Sequence, residues 1–467
     1  MKNLFIVLII LSLKNYLAIA QSVNPEVFYL KGSTVKIEQL VGDYDRHFHK
    51  PTHNQTNKKY NLWGTDLGVP FNHNGKTYVL FGDIPLSDED PIAFTNDSFP
   101  EDGIDLQFIT KANGDYKPIK IPGISQGAFE VPVEGISIND IMYIYHTTDN
   151  MKRLALAKSL DNGQTFELIE DTISINHFIN VSIIKTDNSD WKPSVNYTHL
   201  LIFGSGKYRN SNVYLAIQPK NSIEDKNSIQ YFKGIDSNKN PIWTKKESEA
   251  KSLFNQSCVG EFSVTYNQFI KKWLMLYNCD NPRGINFRTA DNPWGSWSKP
   301  QILFDPWLDH GYCNFIHTDW NYSVCDSVHD NGRKYEWGGE YGPYQFENFA
   351  IGTDTSTTIY YTMSTWNPYT VVLMKSTLIK PMITEVSEIQ YQNHFLHFNP
   401  NPITDRLYID SGNSIIYIYN NVGKLIEKTS LNSEKLNINT SEWQKGIYII
   451  KSIDSFNHTI IKKIIKL

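Results

Sequence analysis

The chain has 467 residues, 40% hydrophobic and 20% charged, which is the balance of a globular protein with two or more domains rather than a disordered one. A formal net charge of −5, with no basic block before the closing Lys462, Lys463 and Lys466, excludes a nucleic-acid footprint. Aromatic residues reach 13%; they favour strands, and flat rings also suit the apolar faces of sugars.

Residues 1–20 read as a signal peptide. Lys2 is followed by the apolar run Leu4 to Leu13 and the small-x-small site Ala18-Ile19-Ala20. That run is too short to span a bilayer, and no later stretch is long enough, so no membrane span is expected. The first candidate site follows. Leu62 to Pro70 reads as a strand, Asn72-His73-Asn74-Gly75 as a turn, and Lys76 to Asp83 as the returning strand. Asp66 and Asp83 then lie at equal distances from the turn within about one residue, roughly 4.5–8 Å apart. Two carboxylates that close cannot both ionise freely, so one pKa rises. A glycosidase needs such an acid and nucleophile pair. The plainer reading is that each Asp caps a turn beside its glycine.

Downstream, Glu130 and Glu134 flank Val131-Pro132-Val133, and His146 ends the apolar strand Ile141 to Tyr145. All three are candidates for contact with a ligand; a solvated charge or a satisfied core histidine is the alternative. Ser159-Leu160-Asp161-Asn162-Gly163-Gln164-Thr165-Phe166 matches the Asp box of sialidase-type propellers, a turn-forming element without chemistry of its own. An apolar strand recurs five times, at Thr77–Gly82, Ile141–Tyr145, His199–Gly204, Lys272–Tyr277 and Thr358–Thr362, at spacings suited to blades. The expected fold class is all-β: a five-bladed β-propeller over residues 21–385, then a small C-terminal β-sandwich over 393–467. A β-sandwich with long loops is the alternative for the longer region.

Four cysteines in an exported chain imply disulfides. Strands over 258–266 and 272–279, pairing Tyr266 with Lys272, set Cys258 nearly opposite Cys279. Cys313 and Cys325 pair by elimination. The spacings fit no zinc pattern, and neither a metal nor a cofactor is expected. Glu261 opens an inner strand after Gly260. Arg283, Trp366, Asn367 and Trp63 complete the candidate binding residues, the tryptophans as stacking platforms and the others as hydroxyl partners.

The C-terminal module opens with Phe398-Asn399-Pro400-Asn401-Pro402 and closes with Gly446-Ile447-Tyr448-Ile449-Ile450-Lys451 and a basic end. It resembles the type IX secretion sorting domains of Bacteroidota. That resemblance implies the secretion machinery as a partner and a secreted or cell-surface location; a fibronectin-like module is the alternative.

The longer region resembles the endo-D-arabinanases of glycoside hydrolase family 183, long listed as a domain of unknown function. The motifs that carry the likeness are W-G-T-D-L-G-V-P with Y-V-L-F-G-D-I, G-E-F-S-V (260–264), W-L-M-L-Y (273–277), R-T-A-D-N-P-W-G-S-W-S (288–298) and Y-Y-T-M-S-T-W-N-P-Y (360–369). The resemblance implies a five-bladed propeller, a polysaccharide substrate such as D-arabinan, and catalysis by Asp66 and Asp83, with Asp83 as nucleophile and Asp66 as acid/base. Ile84-Pro85 and the loop beyond depart from the pattern. A non-catalytic glycan-binding propeller, the rival, has no need of two opposed carboxylates. A sialidase would need an arginine cluster, and arginines are few. A monomer is expected.

Overall fold

The computed structural model describes residues 26–187, 189–318, 328–381, 396–411, 414–421, 423–431, 435–454 and 459–467. The expected signal peptide, residues 1–20, lies outside them. The chain divides into two compact units, Met1–Pro381 and Met382–Leu467.

The first unit is a five-bladed β-propeller, as the strand repeats imply. Four blades are consecutive antiparallel sheets. They begin with the strands Leu67–His73, Pro132–Ile138, Asn180–Thr186 and Phe262–Asn267. The fifth begins with Glu340–Gln345 and continues through Ser356–Thr365 and Thr370–Ile379. Its outer edge comes from the other end of the unit: Phe28–Tyr29 and Val35–Gln39 both pair with Thr370–Ile379. Each first strand packs against the first strand of the next sheet, and the fifth against the first, which closes the ring. The five recurring apolar stretches are the second strand of each blade. They are buried on both faces, which is why they read as continuous apolar runs rather than alternating ones. Between blades three and four the core includes Trp273 and Trp297, each 1% exposed. Full burial of a large apolar side chain stabilises by about 2–3 kcal/mol.

The Asp box is built as its residues require. Ser159 Oγ donates to Asp161 Oδ1 (2.7 Å), Asp161 accepts from the Thr165 amide (2.8 Å), and Gly163 takes φ 87°. The stretch from Asp291 to Ser298 makes the equivalent turn of blade four, between Ile285–Ala290 and Gln301–Phe304.

Two registers differ from expectation. Leu62–Asp66 lie outside the ladder, which starts at Leu67. Leu67 (φ 63°) and Gly68 (φ 87°) form a bulge, and the turn shrinks to Asn74-Gly75. In blade four Tyr266 faces Trp273, not Lys272, because Asn267 extends the first strand by one residue. Cys258 and Cys279 lie beyond the strand ends and still form the expected disulfide, with Cα atoms 5.2 Å apart. Cys313 is disulfide-bonded too; Cys325, its expected partner, lies outside the described residues.

The second unit is β-rich. A three-stranded sheet (His397–Asn399, Arg406–Asp410, Leu436–Asn439) and a four-stranded sheet (Ser414–Asn420, Leu425–Leu431, Gly446–Asp454, Thr459–Lys466) enclose Ile403, Leu407, Ile409, Ile416, Ile418, Ile450 and Ile464. Among the described residues no helix is long and apolar enough to cross a membrane.

Candidate active site

The first strand of each blade opens at the same end of the ring, and an acidic residue stands at or just before the start of four of them: Asp66, Glu130, Glu261 and Glu340. The second strands end there as well: His146 stands near the end of Ile141–Thr148, and the loops that follow other second strands bring Asp83, Tyr208, Arg209 and Arg283.

Asp66 and Asp83 are brought together. The bulge shifts the pairing by one residue, so Asp66 faces Gly82 and its carbonyl accepts from the Gly82 amide (3.0 Å). A Cβ on Gly82 would fall 2.3 Å from Asp66 Oδ1, so glycine there leaves the carboxyl its place. Tyr341 Oη donates to Asp66 Oδ2 (2.8 Å), and Tyr369 hydrogen-bonds the same carboxyl. Burial outweighs these donors and pushes Asp66 up to about 7. Asp83 accepts from the Phe129 amide (2.7 Å). Burial, then the neighbouring charges of Asp66 and Asp90, push it up to about 8. Asp66 Oδ1 and Asp83 Oδ1 are buried without a hydrogen-bond partner among the described residues. Buried polar atoms of that kind are rare outside functional sites.

The other sequence candidates divide. Glu261 lies within Coulombic reach of Asp66 and is clasped by Arg209 through both oxygens (3.2 and 3.3 Å). His146 is fully buried behind the pair and contacts Asp90 Oδ2 through Nε2 (3.0 Å). Glu130 accepts from Ser125 Oγ (2.9 Å) and the Gly127 amide (2.7 Å); it shapes the loop whose Phe129 amide reaches Asp83. Trp63 and Trp366 are exposed, and Trp366 meets Tyr369 edge-on at 5.5 Å. Arg283 donates to Tyr312 Oη (2.8 Å) and pairs with Glu340 (3.6 Å).

Two candidates have other partners. Asn367 is fully buried, and its amide spends both donors on the carbonyls of Arg333 and Glu336 and its oxygen on the Asp330 amide. It pins a loop and offers nothing to a ligand. Glu134 accepts from the Gly135 and Ile183 amides (both 2.9 Å), tying blade two to blade three. It lines a cavity of about 550 Å³ with Ser182, Ser263 and Gln345. That cavity opens at the other end of the ring, away from Asp66 and Asp83.

Asp90, Arg209, Glu340, Tyr341 and Tyr369 are site residues that the sequence reading missed. One signal was present: Glu340-Tyr341 opens an innermost strand as Glu261-Phe262 does. Asp90, six residues beyond Ile84, carries no such mark. Among the described residues no group of three or more His, Cys, Asp or Glu is placed to hold a metal ion.

A carboxyl pair with raised pKa values, Asp66 buried and Asp83 half-buried, thus stands at one end of a five-bladed ring, which marks that end as the candidate site. The chain belongs to the family described as Domain of unknown function (DUF4185), whose model matches residues 51–375. Residues 397–467 match the Secretion system C-terminal sorting domain. A comparison with curated proteins finds no match. Among solved structures, the GH43_1 enzyme from Xanthomonas citri complexed with xylose is 10% identical, with TM-score 0.39 over 67% of this chain and 87% of that one. An exo-beta-1,3-galactanase from Phanerochaete chrysosporium is 9% identical, with TM-score 0.40 over 92% and 99%. A GH43 beta-xylosidase/alpha-arabinofuranosidase from a compost microbial metagenome is 12% identical, with TM-score 0.38 over 67% and 91%.

Proposed function

We propose that this chain is an exported glycoside hydrolase that cleaves a furanose-containing polysaccharide, D-arabinan being the expected substrate, at Asp66 and Asp83. The observation that carries the reading is the pair itself: two neighbouring carboxyls, Asp66 buried and Asp83 half-buried, both raised in pKa, each with a buried oxygen that has no partner among the described residues. The motif resemblance supports the substrate, and the sorting domain with the expected signal peptide supports export.

The roles follow from the hydrogen bonds. Two phenols point donors at Asp66 and favour its carboxylate against the charges of Glu261 and Asp90; Asp83 has one backbone donor and three acidic neighbours, Asp66, Asp90 and Asp88, which favour its acid form. This makes Asp66 the nucleophile and Asp83 the acid/base, the reverse of what the resemblance implies. Asp66 faces Gly82, one residue before Asp83, and the two carboxyls are near enough for the charge of Asp66 to raise the pKa of Asp83, which fits the closer, retaining arrangement better than the inverting one. Asp66 attacks the anomeric carbon as the glycosidic bond breaks and the Asp83 proton passes to the leaving oxygen. Asp83 then takes a proton from water, and that water's oxygen displaces Asp66 with the configuration retained.

The test is product release from D-arabinan by the full chain beside Asp66→Asn and Asp83→Asn. Each substitution is expected to cost at least about 100-fold in kcat/KM. An aryl furanoside with a good leaving group separates the roles. It needs no acid for its departure, so Asp83→Asn retains a burst of aryl release and Asp66→Asn shows none. No release by the folded parent removes D-arabinan as substrate, and undiminished release by both variants removes the pair.

A further inference from the structure

A line of aromatic rings leads from Asp66 across blade five to the edge of blade four. Tyr369, which hydrogen-bonds Asp66, meets Trp366 at 5.5 Å. The Trp366 amide donates to the Gly338 and Gly339 carbonyls, next to Trp337. Arg283 lies over the Trp337 ring at 4.2 Å, and both Arg283 and Trp337 Nε1 donate to Tyr312 Oη (2.8 and 3.1 Å). Tyr312 meets Trp307 at 4.7 Å. The rings are held, not loose. Gly339 takes φ 48°, and a Cβ there would strike Trp337 at 2.7 Å. Asp305 caps the Trp307 and Leu308 amides (2.9 and 3.0 Å), and the Asp305 amide is fixed in turn by Asp309 (2.7 Å).

Despite that anchoring, Trp307 is 60% exposed, and about half of the Arg283 side chain is open to solvent. A ring that only filled a core would be covered. An uncovered indole and a held guanidinium, joined through the Tyr312 ring between them, offer an apolar face and hydrogen-bond donors, which is what a sugar ring presents in complement. Pre-organised aromatic groups also bind at low entropic cost.

We propose that Trp337, Tyr312 and Trp307, with Arg283, form an extended subsite that holds sugar residues of a polysaccharide chain beyond the two joined by the bond at Asp66 and Asp83. This rests on the glycosidase reading and deepens it: the site takes the interior of a long chain, and affinity grows with the number of sugars that reach the platform.

Binding is read apart from cleavage by affinity electrophoresis of the full chain carrying Asp83→Asn through gels containing soluble D-arabinan. Adding Trp307→Ala is expected to weaken retardation at least about fivefold, the value of one stacking contact. Leu308→Ala, an exposed neighbour in the same turn, leaves retardation unchanged. Trp337→Phe, which keeps a ring under Arg283, loses less than Trp337→Ala. Equal retardation with and without the Trp307 ring overturns the platform, even where the parent releases oligosaccharides. A parent that is not retarded overturns it as well. Failure of the glycosidase reading is registered separately, as absence of product from the active full chain.

Discussion

Gly82 shows how a residue without a side chain fixes the place of a neighbouring carboxyl. Its hydrogen faces Asp66 Oδ1, and a methyl in its place has no room. Gly82→Ala therefore displaces the carboxyl while leaving both charges in the chain. We expect a loss of at least about tenfold in kcat/KM, since small misplacements of reacting groups cost that much or more, with an unchanged circular dichroism spectrum. Full activity in the variant would mean that the position of Asp66 does not matter. Tyr341→Phe acts on the same carboxyl electrostatically. Removing a donor from the ionised form raises the Asp66 pKa, so the acidic limb of the kcat/KM profile moves to higher pH. A limb that stays in place would separate Asp66 from that ionisation.

The same pair links activity to stability. A carboxyl whose folded pKa is raised holds its proton more tightly in the folded state. Its contribution to stability is complete below the unfolded pKa, near 4, and is lost as pH rises through the folded value. For Asp66 and Asp83 the window runs from about 4 to about 7 and 8. The double variant Asp66→Asn/Asp83→Asn should thus melt higher than the parent at about pH 9 and converge with it near about pH 4. Parallel melting curves across that range would show the charges to be well solvated in the native state.

At the scale of the element, the disulfide Cys258–Cys279, with sequence separation 21, closes the segment that contains Glu261 and the hairpin strands Phe262–Asn267 and Lys272–Asn278. Loop-closure entropy for such a length gives about 3 kcal/mol. Cys258→Ser with Cys279→Ser should cost up to that amount in a denaturant titration. The Arg209–Glu261 clasp should loosen with it, seen as a higher KM. Elements were also where the sequence was most legible. The second strands of the blades announced themselves because they are buried on both faces, and the Asp box because its turn demands its residues. The proximity of Asp66 and Asp83 was legible as symmetry about a turn, and the bulge at Leu67-Gly68 moved their register by one residue only. Tyr341, Tyr369 and Arg209 were not legible. They come from other blades, and nothing in their local sequence states which strand they will face. Asn367 misled for the opposite reason: beside an exposed tryptophan it looked available, but its amide is consumed by a distant loop.

For the whole molecule the decisive feature is how the ring closes. Phe28–Tyr29 and Val35–Gln39 complete the sheet that ends with Thr370–Ile379. Deleting residues 26–39 leaves the backbone groups on one side of Thr370–Ile379 without partners and exposes core such as Leu378 and Val372. We expect that variant to lose its cooperative melting transition. Deleting 382–467, a separate compact unit, should leave the melting of the first unit unchanged. A shift of several degrees would mean that the two units stabilise each other.

That closure also sets a timetable. Asp66 belongs to the first blade, but the phenols that address it, Tyr341 and Tyr369, arrive with the fifth. A chain made from its N-terminus therefore holds both aspartates long before either tyrosine. Until residue 379 has met residue 28, the fifth blade lacks its outer edge, and the sheet that carries both phenols is incomplete. The surroundings of Asp66 are thus complete only when the two ends of the first unit have met.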